Sequence, residues 1–251
     1  MATTLKEKLS TGSPIFGTFL SLANPYTAEI MANAGFDWLF ADLEHGGGGE
    51  RDLVEQLLVG QAHSIPVAVR VETAERIRTG RVLDLGAEAI VFPRLDTVDQ
   101  IESATAALAY PPRGDRGVAS YNRSRGFGQP PRSFDEANER ITGIVQIESV
   151  EALASVEEIS RIRGVDALFI GPGDLTAALG VPGEFGHPEY VAALRGVLDA
   201  TRAAGIAAGI LASSAEAALR YADDGFTLIA VGSDATILSA AAADTISRIK
   251  G

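Results

Sequence analysis

The chain has 251 residues, of which 46% are hydrophobic, carries a net charge of −12 and contains no cysteine. The length suits one large domain, and the lack of cysteine excludes disulfides, thiolate metal sites and cysteine nucleophiles. The acidic balance argues against a nucleic-acid partner, because phosphates bind basic surfaces, and no apolar run reaches the roughly 20 residues of a membrane span. The chain also begins without the apolar core of a signal peptide, and we expect a cytoplasmic protein.

Eight apolar segments of strand length alternate along the chain with segments of helical spacing. The predicted strands cover residues 15–22, 36–44, 66–72, 89–96, 141–149, 167–175, 206–212 and 228–234. The predicted helices cover residues 25–34, 50–63, 73–85, 97–109, 150–163, 189–204, 214–224 and 235–250. Near-continuous runs of Val, Ile, Leu and Ala indicate strands buried on both faces, as in a parallel sheet. These units predict an α/β fold, a single (β/α)8 TIM barrel over residues 1–251. A doubly wound open sheet is the alternative, but no strand is followed by the G-x-G-x-x-G loop typical of that fold.

Three segments depart from this alternation. Residues 110–140 form a long connection that contains Pro111 and Pro112 and, between Arg113 and Arg132, five arginines, and residues 180–190 form a second one after the sixth strand. Loops of this length in a compact domain are commonly functional or disordered. The alanine-rich residues 235–250 predict a last helix that packs on its own barrel, which the sequence favours, or on a neighbouring subunit.

The fifth and sixth predicted strands each end on a carboxylate, Glu148 and Asp174. The helical segment between them predicts a βαβ unit, in which the two strands are parallel neighbours about 5 Å apart. Two ionised carboxylates at that distance would repel each other, and burial would add a desolvation cost. A divalent cation removes both penalties, and ligands that are all oxygen suit Mg²⁺ or Mn²⁺. The alternative is that each carboxylate pairs with an arginine or caps a helix, and the spacing leaves both interpretations open.

Several other polar residues lie at the predicted carboxyl ends of strands, where barrels of this type carry their catalytic residues. Side chains alternate along a strand, so Gln146 shares a face with Glu148. Arg70 interrupts a valine-rich strand, where a buried guanidinium needs an anion. That anion is a substrate carboxylate or developing enolate, or else Asp42 or Glu44 in a buried ion pair. The other candidates are His45, as a general base, together with Arg94, Gly171, Gly173, Asp174 and Asp234.

The positions of the lysines narrow the possible chemistry. Lys6, Lys8 and Lys250 are the only lysines, and none lies on a predicted strand. A Schiff-base aldolase needs a desolvated lysine inside the barrel, so that mechanism is excluded if the barrel prediction holds. The sequence also lacks the Gly-x-Ser-x-Gly and Ser-x-x-Lys motifs of serine nucleophiles. Among carbon–carbon bond chemistries, a metal-assisted route remains.

Seven segments of the chain form an ordered set of motifs. They are AGFDWLFADLEHG (34–46), VAVRV (67–71), LDLGAEAIVFPRLDT (83–97), AYPPRGDRG (109–117), QIES (146–149), GVDALFIGPGDL (164–175) and AVGSDATIL (230–238). Together they resemble the HpcH/HpaI aldolases, which are metal-dependent class II pyruvate aldolases such as 4-hydroxy-2-oxoheptanedioate and 2-keto-3-deoxy-sugar-acid aldolases. The resemblance covers nearly the full length, and the ordered set is far more specific than any one motif.

The resemblance implies a divalent metal, Mg²⁺, Mn²⁺ or Co²⁺, held by Glu148 and Asp174. Pyruvate would chelate this metal through its keto oxygen and carboxylate, and the N–H groups of Gly173 and Asp174 would bind the carboxylate. Gln146 would help to position the substrate. The resemblance also implies a homohexamer, built as a trimer of dimers that exchange their last helix.

The implied activity is reversible cleavage of 4-hydroxy-2-oxo acids into pyruvate and an aldehyde, through an enolate bound to the metal. Arg70 would stabilise the enolate oxygen, and His45, with Asp42 nearby, would take part in proton transfer through a water on the metal. One alternative is a related enzyme that uses the same enolate for oxaloacetate decarboxylation or a citrate-synthase-like condensation. A non-catalytic ligand-binding barrel is the alternative from another class.

Two loops depart from the family pattern, GGGGERD directly after His45 and SYNRSRGFG at residues 120–128. The resemblance places both loops on the acceptor-aldehyde side of the site. The differences therefore do not affect the part of the site that would bind metal and pyruvate, but they leave the identity of the aldehyde open. Arg123 in the second loop is a candidate contact for the acceptor's carboxylate, although a solvated loop charge is the favoured interpretation.

Overall fold

Eight parallel strands close into a barrel in the computed structural model, which describes residues 3–129 and 133–251. The strands are β1 Ile15–Leu20, β2 Trp38–Asp42, β3 Val67–Arg70, β4 Ala89–Phe92, β5 Thr142–Ile147, β6 Ala167–Ile170, β7 Ala207–Ala212 and β8 Leu228–Ser233. Each strand pairs with the next one along the chain, and β8 returns to β1. The predicted (β/α)8 TIM barrel is confirmed, and every strand lies within its predicted segment.

Helices surround the barrel. They are α1 Leu5–Leu9, α2 Pro25–Ala34, α3 Glu50–Ala62, α4 Arg76–Asp84, α5 Val98–Ala106, α6 Phe134–Arg140, α7 Val150–Ala154, α8 Val156–Ile159, α9 Pro172–Ala178, α10 Pro188–Ala204, α11 Ala215–Asp224 and α12 Asp234–Lys250. The helix predicted over residues 150–163 is divided into α7 and α8, because Ser155 leaves helical geometry with φ −103° and ψ 11°. The short helices α1, α6 and α9 lie outside the segments predicted to be helical. The other seven predicted helices form near their expected positions.

Aromatic side chains fill the interior of the barrel. Trp38, Phe40 and Phe169 are buried there, and the ring centroids of Phe40 and Phe169 lie 5.8 Å apart. A Cβ at Gly17 would lie 2.4 Å from the Trp38 indole, and one at Gly209 would lie 2.5 Å from the Phe169 ring. These two glycines therefore make room for the rings. A packed interior leaves the carboxyl rim of the strands as the place for a site.

The last helix does not pack along its own barrel. Its first residue, Asp234, is buried, but residues 236–250 are exposed, and Leu238 and Ile249 are 58% and 74% exposed. The expectation that this helix covers its own barrel is therefore wrong for the single chain. Its apolar side chains need a partner surface to be covered. Over the described residues, no helix is both long and apolar enough to cross a membrane.

The long connection between α5 and β5 lies at the amino end of the barrel. It contains a 3-10 segment, Arg123–Gly128, which leaves helical geometry at residues 125–127, followed by α6. Arg123 donates hydrogen bonds to the carbonyl oxygen of Leu85 at 3.0 Å and to Oε1 of Gln61 at 2.7 Å, near the starts of β4 and β3. Within one chain, residues 120–128 therefore lie at the end of the barrel opposite the carboxyl rim. The expectation that they line the aldehyde side of the site is wrong for the rim of the same chain. Arg123 is partly buried and hydrogen-bonded, and it is not a solvated loop charge.

Candidate active site

A buried carboxylate lies at the centre of the carboxyl rim. Glu148 directly follows β5 and is only 8% exposed. Its Oε1 accepts a hydrogen bond from the backbone N–H of Arg94 at 2.6 Å, and its Oε2 accepts one from Nε2 of Gln146 at 2.7 Å. Side-chain alternation along the strand brings Gln146 and Glu148 to the same face, as expected. The two hydrogen bonds hold the carboxylate in one orientation.

Asp174 approaches Glu148 from a helix. The strand β6 ends at Ile170, and Asp174 lies in the first turn of α9, so the prediction that Asp174 ends the strand is wrong. A Cβ at Gly171 would lie 3.2 Å from Oε2 of Glu148 and 3.7 Å from Oδ2 of Asp174. The missing side chain of Gly171 therefore leaves a space that both carboxylates border. The two carboxylates are brought together as predicted, by a tight turn into a helix instead of by two strand ends.

The surroundings of Glu148 disfavour its negative charge. Burial raises the pKa of Glu148, and the carboxylates of Asp174 and Glu44 raise it further. The N–H of Arg94 and the charge of Arg70 act in the opposite direction but do not offset these effects. A cation in the space over Gly171 would remove this penalty and keep Glu148 ionised.

Arg70, at the end of β3, is engaged by two carboxylates. Its Nε and Nη2 donate hydrogen bonds to Asp42 at 2.9 and 2.6 Å, and its Nη1 lies 3.2 Å from Oε2 of Glu44. The register of β2 and β3 places Asp42 directly beside Arg70. Burial is the largest effect on the pKa of Arg70 and lowers it, but Asp42, Glu44 and Glu148 together raise it above the ordinary value. The ion pair considered for Arg70 is therefore formed, and the guanidinium remains charged beside Glu148.

Asp42 also shapes the turn that carries His45. Its Oδ1 accepts hydrogen bonds from the backbone N–H groups of Glu44 and His45 at 3.1 and 3.3 Å. A Cβ at Gly46 would lie 2.2 Å from the carbonyl oxygen of Asp42, so this turn requires glycine. The side chain of His45 is 70% exposed, and its Nε2 lies 3.7 Å from Oε2 of Glu44. Glu44 thus lies between the exposed imidazole and the buried Arg70.

The charges of this cluster fit a divalent cation. The carboxylates of Asp42, Glu44 and Glu148 act on the Arg70 guanidinium, and the carboxylate of Asp174 acts on Glu148, so negative charge is in excess around this one guanidinium. Across residues 3–129 and 133–251, no three His, Cys, Asp or Glu side chains converge to form a metal site by themselves. Glu148 and Asp174 would supply two ligands, and water or substrate oxygens would complete an octahedral ion, as is usual for Mg²⁺. The buried Oε1 of Gln146 has no hydrogen-bond partner among the described residues and can accept a hydrogen bond from such a water.

Asp234, a candidate site residue in the sequence, joins the end of β1 to the start of α12. Its carboxylate accepts hydrogen bonds from the N–H and hydroxyl of Ser21 at 2.8 and 3.0 Å and from the hydroxyl of Thr27 at 2.7 Å. We expect Asp234→Ala to lower the free energy of unfolding by about 2–4 kcal/mol, because these donors lose their acceptor. Denaturant titration would measure the change, with the exposed Asp223→Ala as control. A loss no larger than that of the control would contradict this structural role.

Arg94 contributes to the site through its backbone N–H. Arg94 follows β4 with φ 53°, a conformation that residues other than glycine rarely adopt, and from there its N–H points to Glu148. The sequence suggested Arg94 as a charged side chain at a strand end. No residue type signals the direction of a backbone N–H, so this contact could not be predicted from the sequence.

The fold and this cluster define a (β/α)8-barrel enzyme whose acidic centre lies at the carboxyl rim. A family model described as HpcH/HpaI aldolase/citrate lyase matches residues 16–241. A hydroxypyruvate/pyruvate aldolase from Pseudomonas aeruginosa is 38% identical over 98% of this chain and 92% of its own. A 4-hydroxy-2-oxovalerate aldolase from Rhodococcus jostii is 39% identical over 93% and 91%.

A solved structure agrees with this assignment. The crystal structure of a HpcH/HpaI aldolase/citrate lyase family protein from Burkholderia cenocepacia is 37% identical, covers 98% of this chain and 99% of its own, and has a TM-score of 0.94. The chain therefore belongs to the HpcH/HpaI aldolase/citrate lyase family, and the resemblance seen in the sequence motifs is confirmed.

Proposed function

We propose that the protein reversibly cleaves 4-hydroxy-2-oxo acids into pyruvate and an aldehyde, with a divalent cation held by Glu148 and Asp174. The observation that carries this proposal is the space over Gly171, which both carboxylates border beside the guanidinium of Arg70. Relatives that are 37–41% identical are named as pyruvate or 4-hydroxy-2-oxo acid aldolases, which supports a 2-oxo acid as the substrate.

The rim supplies groups for both ends of the 2-oxo acid. A bound Mg²⁺, Mn²⁺ or Co²⁺ would act as a Lewis acid on the 2-oxo group. The N–H groups of Gly173 and Asp174 lie in the first turn of α9, where a helix offers them no acceptor, and they would bind the substrate carboxylate. Gln146 holds Glu148 through Nε2 and presents its unpaired Oε1 to a substrate or water hydrogen.

Cleavage breaks the bond between C3 and C4 of the substrate. The electron pair of this bond moves into the pyruvate enolate, while the 4-hydroxyl loses its proton and becomes the aldehyde oxygen. Arg70, locked against Asp42, offsets the negative charge that develops on the enolate oxygen. The exposed His45 accepts the hydroxyl proton, and Glu44 stabilises the resulting imidazolium. Transfer of a proton from the imidazolium of His45 to C3 of the enolate then gives pyruvate and restores the neutral imidazole.

Oxaloacetate decarboxylation tests the cation and enolate chemistry without knowledge of the aldehyde. Metal-depleted protein is given oxaloacetate, pyruvate formation is coupled to lactate dehydrogenase, and Mg²⁺, Mn²⁺ or Co²⁺ is added back. We expect pyruvate release that depends on both protein and metal, followed by cleavage of one or more 4-hydroxy-2-oxo acids. Folded, metal-loaded protein that releases pyruvate from none of these substrates would show that the proposal is wrong.

Replacing Gly171 with alanine tests the space itself. Gly171 has φ −90°, which alanine adopts without strain, but the new methyl would lie 2.9 Å from Nε2 of Gln146 and 3.2 Å from Oε2 of Glu148. We expect metal affinity and kcat to fall by about tenfold or more, with the fold retained. Metal titration and the oxaloacetate assay would measure the effect. Gly186→Ala is the matched control, since its Cβ meets no atom within 4 Å, and equal behaviour of the two variants would contradict the assignment.

We also propose that α12 packs on a second copy of this chain, within a hexamer built from dimers. Residues 236–250 are exposed along the helix, and Leu238, Ile246 and Ile249 are 58%, 46% and 74% exposed. A row of apolar side chains on a projecting helix marks an interaction surface. The family resemblance, with its exchanged last helix, supports a copy of this chain as the occupant.

The oligomeric state tests this second proposal. We expect the double variant Leu238→Glu and Ile249→Glu to have a smaller mass in solution than the wild type, because two buried charges would oppose the contact. Size-exclusion chromatography with light scattering measures the mass. Arg248→Gln, on the same helix, is the control and should keep the wild-type mass. A monomeric wild type, or a double variant of unchanged mass, would refute the proposal.

A further inference from the structure

A cavity of about 540 Å³ lies at the amino end of the barrel, opposite the candidate active site. The starts of β3 and β4 line one side of it, and part of the long connection between α5 and β5 lines another, including residues 123, 124, 126 and 127. We propose that this cavity binds a small organic anion that carries an apolar group. Its volume is in the range of small-molecule sites.

The cavity is positively charged, although the chain has a net charge of −12. Its described lining contains three arginines and one carboxylate, which are Arg116, Arg123, Arg140 and Glu88. Arg140 donates two hydrogen bonds to Glu88 at 2.7 and 2.8 Å, and Arg116 donates one to Asp84 at 3.0 Å. Arg123 donates only to two neutral oxygens within the described part of the chain. One guanidinium of the cavity therefore lacks a paired counter-ion.

Burial makes an unpaired guanidinium costly. Burial lowers the pKa of Arg123, and the nearby charge of Glu88 only partly opposes this effect. A bound anion would supply the missing counter-ion and would form charge-assisted hydrogen bonds with the guanidinium.

Two more polar groups of the cavity lining lack partners. The Nε of Arg116 and the hydroxyl of Tyr110 are buried, and neither has a hydrogen-bond partner among the described residues. The Arg116 guanidinium lies 4.4 Å from the centre of the Tyr110 ring, so the two groups are adjacent. Buried polar groups are normally satisfied, and an oxyanion with several acceptor oxygens would satisfy such donors together.

The rest of the lining indicates the remainder of the ligand. Leu5, Leu57, Ile65 and Phe127 contribute apolar surface to the same cavity. Phe127 is 68% exposed, so its ring is accessible to a ligand in the cavity. A carboxylate or phosphate joined to a hydrocarbon or aromatic group matches both parts of the lining, whereas inorganic phosphate matches only the polar part.

Binding of three probes to the full-length protein tests the proposal. The probes are phenyl phosphate, inorganic phosphate as the anion alone, and benzyl alcohol as the apolar group alone, each titrated by calorimetry. We expect saturable binding of phenyl phosphate that is tighter than that of either fragment. Arg123→Gln should weaken it about tenfold or more, and Tyr110→Phe, which keeps the shape of the side chain, should weaken it several-fold. The exposed Arg202→Gln is the control and should bind as the wild type does.

The outcomes separate this site from the candidate active site. Arg123→Gln and Tyr110→Phe should keep the metal-dependent release of pyruvate, because neither residue lies at the carboxyl rim. Unchanged affinity of phenyl phosphate in both variants, or no saturable binding to the wild type, would overturn the proposal. Loss of binding in Tyr110→Phe alone, should Arg123→Gln fail to fold, would still support it.

Discussion

Glu148→Gln is expected to reduce metal affinity and kcat by about 10²–10³-fold while the barrel stays folded. Glutamine keeps the shape of the side chain. Its amide oxygen can still accept the N–H of Arg94, and its NH2 group can donate to Oε1 of Gln146 once the Gln146 amide turns over. The negative charge that would bind a cation together with Asp174 is lost. Since burial, Asp174 and Glu44 raise the pKa of Glu148, a neutral side chain also removes unfavourable charge. The free energy of unfolding should therefore be unchanged or higher.

Three measurements check this first prediction: calorimetric titration with Mn²⁺, the oxaloacetate assay, and denaturant unfolding without metal. Glu151→Gln is the control, because Glu151 is an exposed carboxylate in the first turn of α7. Its metal affinity and kcat should match the wild type. If Glu148→Gln bound metal as tightly as the wild type does, Glu148 would not be a metal ligand. If the variant were less stable than the wild type, the argument from charge would be wrong.

Arg70→Lys is expected to reduce kcat by about 10²–10³-fold, with a smaller effect on metal affinity. The variant keeps the positive charge but loses the planar fork that binds both oxygens of Asp42. The guanidinium carbon also lies 5.5 and 5.7 Å from the ring centres of Phe19 and Phe40, which a lysine would not fill in the same way. Losing charged hydrogen bonds should lower the free energy of unfolding by about 1–3 kcal/mol.

Steady-state kinetics on pyruvate release would separate the two possible roles of Arg70. A fall in kcat with KM nearly unchanged indicates a group that acts on the developing enolate charge. Arg161→Lys, an exposed arginine, is the matched control and should leave both constants unchanged. A rise in KM alone would show that Arg70 binds the substrate without stabilising the transition state, and the role proposed here would be wrong.

The barrel could be predicted from the sequence because parallel strands buried on both faces leave continuous apolar runs. The last helix shows that such patterns do not reveal which surface a helix packs against. Alanine-rich residues 235–250 form the predicted helix, but the surface that covers it is not encoded in its own spacing. Asp174 shows the same limit locally, because the chain turns from β6 into α9 within the segment predicted as one strand. Tertiary packing sets these boundaries, and local propensity does not.

For the candidate site, the sequence indicated which residues are candidates, but it did not indicate which atoms they contact. A carboxylate at the end of an apolar strand marked Glu148, and an arginine among valines marked Arg70. The sequence left open whether Arg70 faces an anionic substrate or a buried carboxylate, and the structure shows Asp42 and Glu44 as its partners. The importance of Gly171 depends on distances to two side chains from other parts of the fold. Such distances exist only after the barrel closes.

Anchoring Glu148 through the backbone of Arg94 has a consequence for evolution and engineering. A main-chain N–H is present whatever side chain the residue carries, apart from proline, so position 94 can drift without releasing the carboxylate. The side chain of Arg94 is exposed at the rim, and its positive φ means that glycine or asparagine would fit at least as well as arginine. Libraries that vary position 94 would therefore change an exposed side chain at the rim while the Glu148 carboxylate keeps its orientation.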